Sequence, residues 1–110
     1  MKYTVEITSQ AESDLRAVYA YIAFELLAPE NAAGQLDRLE EAIIGLASLP
    51  FRFRQYDAEP WKSRGLRIMP VDHYVVLYIP NEEKAAVTVI RVMCGGRDID
   101  KQLNRHTSFR

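Results

Sequence analysis

A single cysteine, Cys94, and only two histidines, His73 and His106, occur in this chain of 110 residues. One thiol excludes an internal disulfide. A lone cysteine with two distant histidines also lacks the close ligand spacings of a zinc site, so no metal is expected and no cofactor is implied. There is no uninterrupted apolar run of the ~20 residues that a membrane span needs. The opening MKYTVEITSQ alternates from the start and carries no apolar leader, so the expectation is a cytoplasmic protein with no membrane partner. Basic charge is not in excess either: 14 Lys and Arg face 15 acids, for a net charge of −1. That balance argues against a general cationic coat for nucleic acid.

What is present is unevenly placed. Residues 1–50 hold three basic side chains against eight acids, a balance of −5, while residues 51–110 hold eleven against seven, a balance of +4. The second half is the candidate surface for a polyanion. The length suits one domain, taken as residues 1–110.

Tyr3, Val5 and Ile7 alternate with Lys2, Thr4 and Glu6, the period of a strand with one buried face. Ser9 followed by Glu12 reads as a capping box opening a helix. Leu15, Val18, Ile22 and Leu26 then recur at helical spacing, to about Leu27. Pro29 and Glu30 suit the first turn of a second helix, with a stripe of Ala32, Leu36, Leu39, Ile43 and Leu46 that stops before Pro50. The short joint predicts an antiparallel helix pair.

The stretch FRFRQYDAEPWKS, residues 51–63, reads as an irregular connection carrying aromatics and cations. GLRIMPV is strand-like but broken by Pro70, which marks an edge or a bend. YVVLYI is continuously apolar, as in a strand buried on both faces. AAVTVIRVM follows after a turn and ends at Gly95 and Gly96, and Asp98 reads as the N-cap of a short last helix. The predicted order is β-α-α-β-β-β with a short C-terminal helix. This is an α+β fold in which a helical hairpin packs on one face of a small, mostly antiparallel sheet. Its other face is expected to be open, apolar in places and rimmed by arginines.

Three segments, AESDLRAVYAYI, RGLRIMPVDHYVVLYIP and VIRVMCGGRDID, taken in order after the opening strand, resemble the RelE/ParE superfamily, the toxins of bacterial type II toxin–antitoxin pairs. The resemblance covers nearly the whole chain. It implies a heteromeric complex with an antitoxin whose acidic, amphipathic, disordered segment folds across the open face. The superfamily divides by target. RelE-like members cut messenger RNA on the ribosome with cationic and aromatic side chains, whereas ParE-like members poison DNA gyrase and lack much of that cluster. Arg97 aligns with the arginine that RelE-like nucleases carry after the last strand, and Arg67 falls near a basic position on the second strand. The arginine after the strand-opening tyrosine is missing, because Val75 stands there, and Leu103 occupies the place of a C-terminal tyrosine. Deleting such groups typically costs orders of magnitude in rate, so the ParE-like side is favoured. A degenerate toxin that only binds its antitoxin is the third reading.

The candidate residues each have a plainer alternative. Arg97 is either a planar cationic fork for phosphate or carboxylate, or a partner of Asp98 or Asp100 that fixes the last helix. Arg67, with Arg64 near it, reads as a cation on the open sheet face or as a solvated strand residue. Arg91 either shares that face or pairs with Glu6 or another acid. If the protein is a nuclease, Arg67, His73 and Arg97 are its catalytic candidates, although His73 reads equally as an exposed turn residue. Arg64, Arg67, Tyr74, Arg91, Arg97 and Asp98 are the candidates for target or antitoxin contact. Tyr74 and Tyr78 also read as core or groove walls and Trp61 as an anchor for the connection. Cys94 reads as a small buried hydrophobe.

Overall fold

The structure is a computed structural model that describes residues 2–96 and 98–107 and, at His106, the backbone only. Arg97 therefore lies outside the described residues. The chain forms β1 (Thr4–Ile7), α1 (Ser9–Ala20), α2 (Pro29–Gly45), β2 (Arg67–Val71), β3 (Tyr74–Asn81), β4 (Ala86–Cys94) and α3 (Ile99–His106). The strands make one mixed sheet in the order β1-β4-β3-β2, with β1 parallel to β4 and the other pairs antiparallel. Pro70 lies in β2, at the sheet edge, where a strand residue without an amide is tolerated.

The cap of α1 differs from the expected Ser9. Thr8 has extended backbone and its Oγ1 accepts from the Ala11 amide at 3.1 Å. The same hydroxyl donates to the Ile90 carbonyl at 3.0 Å. Thr8 wins because it is the residue at which β1 hands over to α1, so one side chain ties the helix start to β4. Thr8→Ala is expected to cost about 1–2 kcal/mol in a urea melt and Ser9→Ala much less. Equal losses would return the cap to Ser9.

The first helix is α-helical to Ala20 and continues as one π-helical turn, Tyr21–Glu25, before Leu27 takes a left-handed φ of 53°. The carbonyls at this end are met by wide-ring bonds, Leu26 N–H to Tyr21 and Ala28 N–H to Ile22, each 3.0 Å. In α2, Ala32, Gln35, Leu39 and Ile43 are buried at three- and four-residue steps, and the helix ends in a turn ahead of Pro50.

Two cores lie on opposite faces of the sheet. The hairpin covers one, where Leu15, Val18, Leu39 and Ile43 pack on Met69, Val76, Tyr78 and Val89. The second face is not open as expected. Leu66, Ile68, Val75, Leu77, Ile90 and Met93 are covered there by Trp61 from the connection and Leu103 from α3. The physical reason is in β3 itself: a strand apolar at consecutive positions needs a lid on both sides. One lid is a helical hairpin and the other is an irregular loop plus a two-turn helix.

Past the end of β1 the edge of β4 would be bare. Side chains from the start of α1 take over: Thr8 meets the Ile90 carbonyl, and Asp14 Oδ2 accepts from the Val92 amide at 2.9 Å. A bulge sits at this point, since Leu77 pairs with Arg91 while Tyr78 pairs with Val89, leaving Ile90 as the extra residue. Bulges bend a strand and re-aim its side chains. Arg91 is aimed at Asp14.

Candidate functional site

Two of the candidate arginines, Arg91 and Arg67, are occupied by the protein itself. Arg91 is buried and binds Asp14 with two bonds, Nε to Oδ2 at 2.6 Å and Nη2 to Oδ1 at 3.0 Å, while Nη1 donates to Thr107 Oγ1 at 3.0 Å. The alternative of pairing with an acid is the correct one, and the acid is Asp14. This fork joins α1, β4 and the end of α3, a structural position in which the guanidinium's three nitrogens each bond within the protein.

Arg67 is not on the second face. It alternates with Met69 and Val71 and faces Tyr78 across the strand pair, which puts it on the hairpin side. Its Nη1 donates to the carbonyls of Phe51 and Phe53 at 2.9 and 2.7 Å, and the guanidinium lies 5.1 Å from the Phe51 ring centroid. It clamps the connection onto the sheet edge. The Arg64 guanidinium lies 4.9 Å from the Trp61 ring.

Around the clamp, Arg52 and Arg54 are exposed, and Arg52 stacks 4.6 Å from the Phe53 ring. Neither was singled out from the sequence. The signal was the alternation FRFR, which is legible only as an irregular segment until Arg67 is seen to pin Phe51 and Phe53. The result is an exposed strip of cations interleaved with aromatics, a surface able to meet phosphate and to stack on bases.

His73 and Tyr74 lie at the opposite end of β2–β3. His73 is exposed in the turn, where its carbonyl accepts from the Gly95 amide at 2.8 Å. The neighbouring Asp72, at a left-handed φ of 56°, is bound by Arg38 Nε at 2.7 Å and Gln35 Nε2 at 3.0 Å. Those two bonds, Arg38's the larger effect, hold its carboxyl below the usual carboxylate range. Burial, with Cys94 and Tyr21 nearby, pushes the half-buried Tyr74 phenol up. Cys94 is exposed, a correction to the buried reading: it is the last residue of β4, where the cover of both cores has ended.

Asp98 is the N-cap of α3, as expected, accepting from the Lys101 amide at 3.1 Å. The helix is held to the connection by Trp61 Nε1 donating to Asn104 Oδ1 and by Tyr56 Oη donating to Asp100 Oδ1, both 3.1 Å. The described candidates thus form separate neighbourhoods. Arg64 and Arg67 lie with the connection, His73 and Tyr74 with the β2–β3 turn, and Arg91 with α1.

The tyrosines give a pH test of this arrangement. Burial and the bond to Asp100 push Tyr56 up to about 12, and burial pushes Tyr78, whose Oη donates to the Pro50 carbonyl at 2.7 Å, to about 12 as well. A phenol that holds its proton more tightly when folded contributes its full stability below the unfolded value near 10, and loses it as pH rises toward 12. The expected result is alkaline unfolding confined to pH 10–12, with Tyr56→Phe shifting its onset upward. Ionisation of all six tyrosines near pH 10 in the folded chain would refute it.

Comparison with known proteins bears on the whole of this architecture. A family model described as the ParE toxin of the type II toxin–antitoxin system parDE matches residues 5–99. The chain belongs to the ParE toxin family. Among solved structures, this ParE-family toxin is similar to the chromosomal ParDE system of P. aeruginosa, with 18% identity and a TM-score of 0.68 over 84% of this chain and 96% of that one. It is similar to the RelBE2 toxin–antitoxin complex of Mycobacterium tuberculosis, at 24% identity and a TM-score of 0.61 over 86% and 99%. The isolated E. coli RelE toxin is 14% identical, with a TM-score of 0.58 over 93% and 94%. These likenesses are likenesses of fold. No curated protein matches the ParE-family chain at a comparable level by sequence. No helix among the described residues is long and apolar enough to cross a membrane.

Proposed function

We propose that this toxin arrests growth by trapping DNA gyrase, acting in the cytoplasm as a single domain over residues 1–110 and neutralised by a cognate antitoxin. The observation that carries the reading is the burial of Val75 and Leu103 in the second core, 7% and 0% exposed. These are the positions at which the RelE resemblance implies an arginine and a tyrosine. Apolar side chains packed there serve the fold and supply neither a cation for a phosphorane nor an acid or base. Arg67 and Arg91, tied to backbone carbonyls and to Asp14, are unsuited to the same task. The antitoxin half of the reading draws on the ParDE and RelBE2 systems to which the fold is similar.

The strip with Arg52 and Arg54 favours one rival, a ribosome-dependent endoribonuclease, because exposed cations between aromatics suit single-stranded nucleic acid. The test expresses the chain from a tightly repressed promoter, with and without Arg97→Ala, and with Arg52→Ala/Arg54→Ala. Growth, intact message and the SOS response are followed for minutes after induction. Arrest with SOS induction and intact messages, weakened by Arg97→Ala, is the expected outcome. Codon-positioned loss of translated messages would sink the gyrase reading. No arrest at all would leave a protein that only binds its antitoxin.

A further inference from the structure

A cavity of about 420 Å³, of a size suited to a small molecule, opens between the turn of the hairpin and the β2–β3 turn. Ile22 and Leu26 give it an apolar wall. Glu30 and Asn31, in the first turn of α2, form one polar end, and Arg38, His73 and Tyr74 form the other. Glu30 and Arg38 stand ~12 Å apart along α2, with Gly34 midway between them.

Two features prepare this cavity for a ligand. Gln35 lines it and is only 7% exposed; its Nε2 donates to Asp72, while its Oε1 has no hydrogen-bond partner among the described residues. A largely buried acceptor in that state is satisfied by what fills the cavity, water or a ligand hydroxyl. Arg38 is the second feature. Its Nε is tied to Asp72 at 2.7 Å, which fixes the plane of the guanidinium and leaves Nη1 and Nη2 without a partner among the described residues. Nη1 lies 3.3 Å from the point where a Cβ on residue 34 would stand. Glycine inside a helix normally costs stability, and here it clears the space beside the guanidinium.

We propose that this cavity binds a free nucleoside 5′-monophosphate whose base carries an exocyclic amine. The phosphate meets the Arg38 fork, with His73 and the Tyr74 hydroxyl beside it, and a ribose hydroxyl donates to Gln35 Oε1. The base lies on Ile22 and Leu26 and its amine donates to Glu30, a separation that the span between the two ends of the cavity allows. An inorganic anion would leave the apolar wall and Glu30 unused. A peptide would bring amides to helical walls that offer side chains. Asp72 offsets the charge of Arg38 and Glu30 adds a negative one, so directed donors rather than a positive field hold the phosphate, and dissociation constants of about 0.1–1 mM are expected. The proposal goes beyond the target assignment above and does not depend on it.

The test titrates the purified full-length chain with AMP, UMP, adenosine and inorganic phosphate, followed by amide NMR shifts. AMP should saturate and move the amides of residues 30–38 and 72–74. Adenosine should bind at least about ten-fold more weakly, for want of the charge-assisted bonds, and UMP, which has no amine, about five-fold more weakly. Glu30→Ala should erase the preference for AMP over UMP. Arg38→Lys keeps the charge but loses the fork, and should weaken AMP at least about five-fold. Gly34→Ala should raise the melting temperature and yet weaken AMP, a combination that a damaged fold would not give. Equal affinity for AMP and UMP, phosphate binding as tightly as AMP, shifts confined to other residues, or no saturation below about 10 mM would each overturn the proposal. A single-stranded oligonucleotide that moves the same amides at lower concentration than AMP would also overturn it, by making the site one for a strand. Nucleotide binding is read without reference to growth, so this inference and the gyrase reading fail separately.

Discussion

Asp14→Ala is expected to lower the unfolding free energy by about 3–5 kcal/mol, the cost of leaving a buried partner charge unpaired. The carboxylate and the Arg91 guanidinium are only 15% and 10% exposed, so water does little to replace the lost partner. Asp14 also accepts from the Val92 amide, so alanine leaves a second donor unsatisfied. The comparison that isolates the charge is Asp14→Leu combined with Arg91→Met. Replacing both ions with apolar side chains is often close to neutral, so the pair should recover most of what the single change loses. Urea melts of the two single variants and the pair form a double-mutant cycle. A loss below about 1 kcal/mol for Asp14→Ala would mean that the fork is solvated.

The second large effect is at Trp61. Trp61→Ala should cost about 3–5 kcal/mol, because the indole is 2% exposed in the second core and its removal leaves a large cavity there. Trp61→Phe keeps most of the apolar contact and loses the bond to Asn104, so its cost should be well under half of that. The readout that separates packing from tethering is hydrogen exchange in α3. Trp61→Ala should release the amides of residues 101–106 ahead of global unfolding, whereas the strands should stay protected. Uniform loss of protection would show that α3 is no separate unit.

Much of the fold was legible before any coordinates. The alternation of Tyr3, Val5 and Ile7, the two helical stripes joined at Pro29, Pro70 at an edge and Asp98 as a cap are local properties, set by backbone sterics and side-chain periodicity. The resemblance carried by the ordered segments led to the ParE toxin family, which the match over residues 5–99 shows. YVVLYI asks for apolar cover on both faces, yet the second face was expected to be open, because no local pattern said that Trp61 and Leu103 would cover it.

Composition and periodicity determined an α+β element order and an acidic first half, because each depends only on which residues occur and how they are spaced. Tertiary structure alone decided the partners of the charges. Asp14 and Arg91 are brought together by a bulge after Val89 and by the end of β1 at Ile7, and Arg67 is spent on the carbonyls of Phe51 and Phe53. Long-range contacts of that kind follow from sheet register and chain crossing, to which no local pattern points. They turned the expected cationic face into a covered core.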